Sequence, residues 1–457
     1  MANQEYDLLV IGAGAAGSTA ASTAAEAGKR VALLERDKIG GTCLNYGCDP
    51  TKTMIYIADL LYKVRHAERF GLRIREASFD WNSVLSWVQQ AQKRVRGGTS
   101  EEAAASLAQK GIEVMIGEAV FLSPHELSIA GKALSASQII IATGDENIVP
   151  TIDGLNDVGY ITNVQAVSLP TLPRRLAILG GGAIGMEFAQ LFHRFGAEVT
   201  VLEHGTALLD KEDRELADTL CTLLSNEGLR LETNVELRRV QRDPEGKCLT
   251  ICCNKREEEE LVVDEILLAI GRKPSLSSLQ LEKAGVKTSK KGIVVDATLR
   301  TSQRHIWAAG DVTGALQFTH VAYEQGKLAV QNAFAHAPQP FDDHVIPWVT
   351  YTNPALGHVG KTEEQLRQDD VEYRVGRMFL KDVERAVAEG KTEGLVKLLV
   401  DQQGTILGGH ILAEGAGDLL APIILAMQAG IPVEKLAATI MPYPNMVEGV
   451  RWAADKV

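Results

Sequence analysis

The sequence has no apolar run long enough to cross a bilayer, so a membrane-spanning protein is not expected. It has no basic stripe either. Its 47 Lys and Arg are outnumbered by 59 Asp and Glu, for a net charge of −12, which argues against nucleic acid as a partner. The opening Met-Ala-Asn-Gln-Glu-Tyr-Asp carries no basic n-region and no cleavage site and enters a strand almost at once. A cytoplasmic protein is therefore expected. Cysteine is sparse, six in 457 residues, and disulfides in that compartment are usually transient and catalytic. The apolar and charged fractions, 45% and 23%, are those of a soluble globular protein, and the length calls for two to four domains.

What is present begins with a short buried-strand pattern, Asp7 to Ile11, followed by Gly12-Ala13-Gly14-Ala15-Ala16-Gly17 and a small-residue helix to about Ala27. A second strand, Arg30 to Leu34, ends in Glu35. This is a βαβ dinucleotide unit: the glycines permit a tight turn and close approach to a pyrophosphate at the helix N-terminus, and Glu35 can accept from a ribose. The pattern recurs about 168 residues later. Leu176 to Leu179 is the strand, Gly180-Gly181-Gly182-Ala183-Ile184-Gly185 the turn, Met186 to Phe195 the helix, and Glu198 to Leu202 the next strand, ending in Glu203. One such fingerprint is a weak signal; two in register are strong.

Just after the first unit comes Gly40-Gly41-Thr42-Cys43-Leu44-Asn45-Tyr46-Gly47-Cys48-Asp49-Pro50-Thr51-Lys52. A close cysteine pair beside a dinucleotide site reads as a redox pair rather than a staple. Residues 50–68 and 82–110 read as helices and Gly117 to Ile129 as strands. Gln138 to Gly144 and Glu265 to Arg272 each read as a strand with a small-residue turn. Pro338-Gln339-Pro340 marks a boundary, and from about Ile346 the pattern is an antiparallel sheet with helices.

These motifs, with Ala142-Thr143-Gly144, Ile270-Gly271-Arg272-Lys273-Pro274 and Ala309-Gly310-Asp311, resemble the pyridine nucleotide–disulfide oxidoreductases, the group of dihydrolipoamide dehydrogenase, glutathione reductase and mercuric reductase. The resemblance covers essentially the whole chain. It implies two doubly wound Rossmann-like α/β domains and a C-terminal α+β dimerisation domain. The expected boundaries are 1–150 for FAD, 151–271 for NAD, 272–340 returning to the FAD domain and 341–457 for the interface. It implies FAD at Gly12, Gly14, Gly17, Glu35, Gly41, Thr42, Lys52, Thr143, Gly144 and Asp311, and the nicotinamide cofactor at Gly180, Gly182, Ile184, Gly185, Glu203 and Gly271. Cys48 would lie against the flavin as a thiolate, and Cys43 would be the exchange thiol that meets the acceptor. Lys52 and Glu187 would pair near the flavin and tune it. Glu203 favours NAD(H): a carboxylate there bonds the 2′-hydroxyl and repels a 2′-phosphate.

The chain also departs from the family. Most members end in His-x-His-Pro and a glutamate, the second His serving as acid–base across a dimer. Here the run is Met441-Pro442-Tyr443-Pro444-Asn445-Met446-Val447-Glu448-Gly449, so Tyr443 stands at the histidine position and Glu448 is retained. A phenol is a poor base at neutral pH. The tail resembles that of mercuric reductase, without its C-terminal vicinal cysteines or amino-terminal metal-binding domain. An aromatic before proline favours the cis isomer, so a cis Tyr443–Pro444 bond is expected. Asp49 stands where relatives are apolar; pointing inward it would disfavour the Cys48 thiolate, and pointing away it would help start a helix. Asp145-Glu146-Asn147 replaces a Ser-Arg-Pro-like stretch with no functional account.

Cys252 and Cys253 read as strand residues, Cys221 and Cys248 as apolar filler, Glu257 to Glu260 as a solvated hairpin tip, and His320, His358 and Tyr351 as structural, with lining of the acceptor site across a dimer as the alternative for Tyr351. No resident metal site is expected. The expected function is electron transfer between NAD(H), FAD and a Cys43–Cys48 disulfide, delivered to a metal ion or small electrophile. The alternatives are a divergent dihydrolipoamide dehydrogenase acting on a lipoyl or other small dithiol, and a flavoprotein scaffold that no longer turns over. A homodimer is expected, with Tyr443 and Glu448 completing the partner's site.

Overall fold

The computed structural model describes residues 5–254 and 258–457; Glu257 lies outside them. Strand Tyr6–Ile11 pairs in parallel with Val31–Glu35 on one side and Lys132–Ile141 on the other. Ile112–Ile116 extends the parallel edge, and the short strand Ile306–Ala308 returns from far downstream to pair in parallel with Lys132–Ile141. Leu8, Leu9, Val10, Ala32 and Leu33 are all fully buried. A parallel sheet covered on both faces requires such continuous apolar runs. The other end is an antiparallel meander, Ala119–Ser123 and Glu126–Ile129.

The second unit repeats the plan. Arg175–Leu179 lies between Glu198–Leu202 and Glu265–Leu268, all parallel, beside an antiparallel sheet of Val235–Asp243, Gly246–Cys253 and Glu258–Val263. Cys248, Cys252 and Cys253 are residues of strand Gly246–Cys253, with Cys248 and Cys252 buried. A two-stranded ribbon, Asp145–Asn147 against Arg272–Pro274, joins the chain where it leaves the first unit to the chain where it returns. The C-terminal unit is a five-stranded antiparallel sheet, from Pro347–Thr350 to Ile406–Ala413, with helices including Glu448–Asp455.

The glycine fingerprints do the same steric work twice. Gly12 has φ of +100°, and a Cβ there would stand 2.3 Å from the Ala142 carbonyl oxygen. Gly180 has φ of +108°, with the Ala269 carbonyl 2.4 Å from a Cβ. Each turn can pass under its neighbouring strand only without a side chain.

Three local expectations need correction. The helix expected over 50–68 begins at Cys48 and ends at Arg65, and a short helix, Gly41–Tyr46, precedes it. The helix expected over 82–110 is two, Trp81–Arg96 and Ser100–Gln109. The break is Gly97 in the left-handed region, followed by a Thr99–Glu102 capping box, which satisfies backbone donors and favours a new start. The strand expected from Gln138 to its small-residue turn starts earlier, at Lys132, and ends at Ile141 just before that turn. Among the described residues no helix is long and apolar enough to cross a membrane.

Candidate functional site

The first fingerprint opens onto a cleft of about 390 Å³ lined by Gly12, Gly14, Glu35, Gly41, Thr42, Cys43, Thr143, Gly144 and Asp311. Nine residues expected from four separate stretches thus meet in one place. Gly17 packs under the turn, where a Cβ would strike the Gly12 carbonyl. The two strand-end acids behave alike. Glu35 accepts the Ala13 N–H at 2.6 Å and the Asp37 N–H at 2.8 Å. Glu203 accepts the Gly181 N–H at 2.7 Å and the Gly205 N–H at 2.5 Å. Each carboxylate braces its own glycine turn and has lone pairs to spare. Gly180, Gly182 and Gly185 form the second turn, with Ile184 exposed in the first turn of helix Ala183–Arg194. Gly271 follows the neighbouring strand and accepts the Ile148 N–H. His204 is tied to the Val235 carbonyl.

Asp311 is the most informative group in the cleft. Its Oδ1 is buried without a hydrogen-bond partner. Burial, then the neighbouring Asp145, push its carboxyl up to about 7, against the pull of Arg272. A buried acceptor left open in a nucleotide cleft calls for a ligand hydroxyl.

The sequence offered no account of Asp145; the structure supplies a structural one. Its Oδ1 lies 2.7 Å from Arg272 Nη2 and its Oδ2 accepts from Gln317 at 3.3 Å. Arg272 also donates to Asn147 Oδ1 at 3.0 Å. The replacement therefore locks the two-stranded ribbon through a buried ion pair.

Cys43 lies in helix Gly41–Tyr46 and Cys48 is the first residue of helix Cys48–Arg65. Neither is bonded to another cysteine. A hydrogen bond from Cys43 brings the Cys48 thiol down to about 6, burial opposes it, and Lys52 and Thr319 assist. Cys43 moves the other way, up, because it donates to Cys48 and is buried. The two opposite shifts favour a thiolate on Cys48 with the proton on Cys43. A helix N-terminus and a lysine one turn on are the surroundings that favour a thiolate. Asp49 occupies that first turn, as the milder reading expected, yet its carboxylate still counts against both thiolates as a minor influence. Thr319, 3.6 Å from the Cys48 sulfur, was not singled out; 271 residues separate the two, and only tertiary structure brings them together.

Lys52 Nζ lies 2.8 Å from Glu187 Oε2, and Glu187 is 5% exposed. Glu187 Oε1 accepts the Tyr351 N–H at 2.8 Å, and Lys52 sits over the Tyr351 ring at 4.8 Å. Burial works against the Lys52 ammonium, but Glu187, Cys48 and Tyr351 outweigh it and hold it above the ordinary lysine value.

Tyr443 is 70% exposed, Glu448 is buried, and neither lines the cleft of its own chain. Glu448 starts helix Glu448–Asp455 and accepts the Asn445 N–H. The Tyr443–Pro444 bond is cis, and so is Asn353–Pro354, which was not anticipated. His358 is fully buried between Trp348 and His410, and His320, exposed, stacks on Phe318. Among the described residues no group of three or more His, Cys, Asp or Glu is placed to hold a metal ion.

Two nucleotide-binding α/β units, a close cysteine pair at a helix start and a lysine ion-paired to a buried glutamate behind it define a dinucleotide-dependent dithiol oxidoreductase. The chain belongs to the pyridine nucleotide–disulphide oxidoreductase family: the family model matches residues 6–326 and its dimerisation-domain model residues 346–454. Mercuric reductase of Staphylococcus aureus is 36% identical over 453 residues, 98% of this chain and 82% of that protein. Dihydrolipoyl dehydrogenase of Thermus scotoductus is 35% identical over 456 residues, 98% and 97%. The Cu(II) complex of the HOCl-induced flavoprotein disulfide reductase RclA from Escherichia coli superposes with a TM-score of 0.89 at 31% identity, covering 99% of both chains. Family membership implies FAD, and the open Asp311 oxygen in the first cleft fits that group.

Proposed function

We propose that this protein moves electron pairs between NAD(H) and a thiol-seeking acceptor, a soft metal ion or small electrophile, through FAD and the Cys43–Cys48 pair. The observation that carries the reading is the placement of Cys48 at the start of helix Cys48–Arg65, 3.6 Å from Thr319 and one turn before the Glu187-paired Lys52, surroundings that favour a thiolate there. In this reading 1–150 and 272–340 hold FAD, 151–271 holds NAD(H), and 341–457 forms the dimer. Gly12, Gly14, Gly17, Glu35, Gly41, Thr42, Thr143, Gly144 and Asp311 hold FAD, with Lys52 beside it. Gly180, Gly182, Ile184, Gly185 and Gly271 hold NAD(H), and Glu203 selects it over NADP(H).

FAD, when bound, supplies the conversion of a hydride into an electron pair that a sulfur can take. The protein's own groups do the rest. The disulfide takes two electrons and one proton, which leaves the Cys43 thiol and the Cys48 thiolate. Lys52 and Thr319 stabilise the anion, and Glu187 keeps Lys52 charged and in place. Cys43, once deprotonated, presents sulfur to the acceptor. Thiolates are soft ligands, which suits a metal-ion substrate. The names of the relatives, mercuric reductase and a reductase with Cu(II) bound, support that class. Tyr443 and Glu448 complete the site from the partner subunit, where a phenol gives a hydrogen bond but not an efficient base.

The second reading, a lipoyl or other small dithiol, is favoured by Glu203 and by the dihydrolipoyl dehydrogenase relatives. A turnover panel separates the two. Mercuric ion, cupric ion, lipoamide, oxidised glutathione and a quinone are compared in wild type and Tyr443→His. Metal-ion turnover in wild type, with lipoamide turnover rising only in the variant, is expected. Brisk wild-type lipoamide turnover refutes the metal-ion reading.

A further inference from the structure

The Lys52–Glu187 pair is not the only bridge between its two helices. Asp59 lies seven residues beyond Lys52 on helix Cys48–Arg65, and Arg194 lies seven beyond Glu187 on helix Ala183–Arg194. Arg194 pairs with Asp59. Seven residues is two turns, about 10 Å along each helix, so the same helix pair is bridged twice with the charges reversed. The segment Tyr351–Asn353 reaches both bridges. The Tyr351 N–H donates to Glu187 at 2.8 Å, while the Asn353 side-chain amide donates to Asp59 at 3.1 Å and its carbonyl accepts from Arg194 at 3.1 Å. Gln190, between them, accepts the Asn353 N–H at 2.7 Å.

Arg194 is nearly fully buried, its side chain 3% exposed. It is held from the far side by Glu227, whose Oε1 takes the Arg194 Nε–H at 2.6 Å and whose Oε2 takes Nη2–H at 3.0 Å. The Tyr62 ring lies 4.1 Å from its guanidinium carbon. A single bridge lets two helices roll about it; a second, two turns away, fixes roll and slide together.

We propose that Asp59 and Arg194 are positioning residues that hold the Lys52–Glu187 pair in register with Cys48. The inference rests on the role given to Lys52 above. Displacement of a catalytic group by about 1 Å is enough to lose much of its effect, and the far bridge prevents that slide.

The test is a pH titration of the reduced holoenzyme, read as the thiolate–flavin charge-transfer band of Cys48, with melting temperature recorded in parallel. Lys52→Met should raise the Cys48 midpoint by about one unit or more. Asp59→Asn should raise it by about half a unit, which halves the thiolate present near the midpoint, and should add nothing in the Lys52→Met background. Glu227→Gln, which loosens Arg194 from the other side, should act in the same direction and serves if Asp59→Asn folds poorly. Arg175→Gln, which opens a partly exposed ion pair with Asp264 elsewhere, should leave the midpoint where it is. A lower melting temperature with an unmoved Cys48 titration in both Asp59→Asn and Glu227→Gln overturns the proposal and leaves the role of Lys52 intact. An unmoved titration in Lys52→Met overturns both.

Discussion

Cys43 should control how much Cys48 thiolate exists at neutral pH, and two substitutions that differ by one hydroxyl separate its hydrogen bond from its bulk. The Cys48 thiol is brought from 9.0 to about 6, with the Cys43 hydrogen bond as the largest cause. At pH 7 that gives about ten thiolates for each thiol. A hydrogen bond to a charged group is worth about 1.5–3 kcal/mol, or about one to two units. Cys43→Ala removes the donor, so Cys48 should titrate at about 7 to 8, and its thiolate fraction at pH 7 should fall from about nine-tenths to between a half and a tenth. Cys43→Ser keeps a donor, and its titration should stay within about half a unit of 6. Neither variant can form the disulfide, so both are read in the same state. The assay is ultraviolet thiolate absorbance and the thiolate–flavin charge-transfer band against pH. Coincident titrations for the serine and alanine variants would falsify the assignment of the shift to this hydrogen bond.

Three other outcomes are expected. Glu203→Gln should narrow the preference for NADH over NADPH in kcat/KM, because the carboxylate that repels a 2′-phosphate is gone; an unchanged ratio counts against Glu203 as the selector. Asp311, raised to about 7 from 3.8, contributes stability to FAD-free protein that is fully present below about pH 4 and lost as pH rises through 7. FAD-stripped Asp311→Asn should therefore be the more stable form above pH 7, by at most about 4 kcal/mol, while binding FAD less tightly; melting curves across pH and FAD titrations check both, and a wild-type-like pH slope in the variant refutes the argument. Lys397, 1% exposed, lies 2.8 Å from the equally buried Asp213 and 2.6 Å from Glu363. Lys397→Met should cost about 3–5 kcal/mol by leaving Asp213 uncompensated, and a denaturation midpoint equal to wild type would show that the cluster is relaxed by solvent.

The chain's local grammar revealed a great deal. Gly12 and Gly180 could be read without coordinates because a strand–turn–helix that passes beneath its neighbour demands glycine, and that demand is written within a dozen residues. Glu35 and Glu203 were legible for the same reason, each standing at the end of the strand that follows its turn. Cys43, Cys48 and Lys52 share one short stretch, so their proximity needs only a helix start. Tyr443 announced a departure by standing where a histidine was expected.

Other features had no local signature. Thr319 reaches Cys48 across 271 residues. Asp145, unexplained as a letter in the sequence, became a buried ion-pair partner once Arg272 was folded against it. Lys52 and Glu187 could be paired in advance only through the family resemblance, but the second bridge, Asp59 to Arg194, appears only when two helices from different units are packed side by side. The sequence by itself determined the two nucleotide turns and the dithiol, because those depend on backbone conformation over a few neighbouring residues. The tertiary structure decided which groups from distant parts of the chain surround the Cys48 sulfur, a thiolate position that the family resemblance had already implied. Charge placement depends on distance and burial among groups that the chain order keeps far apart.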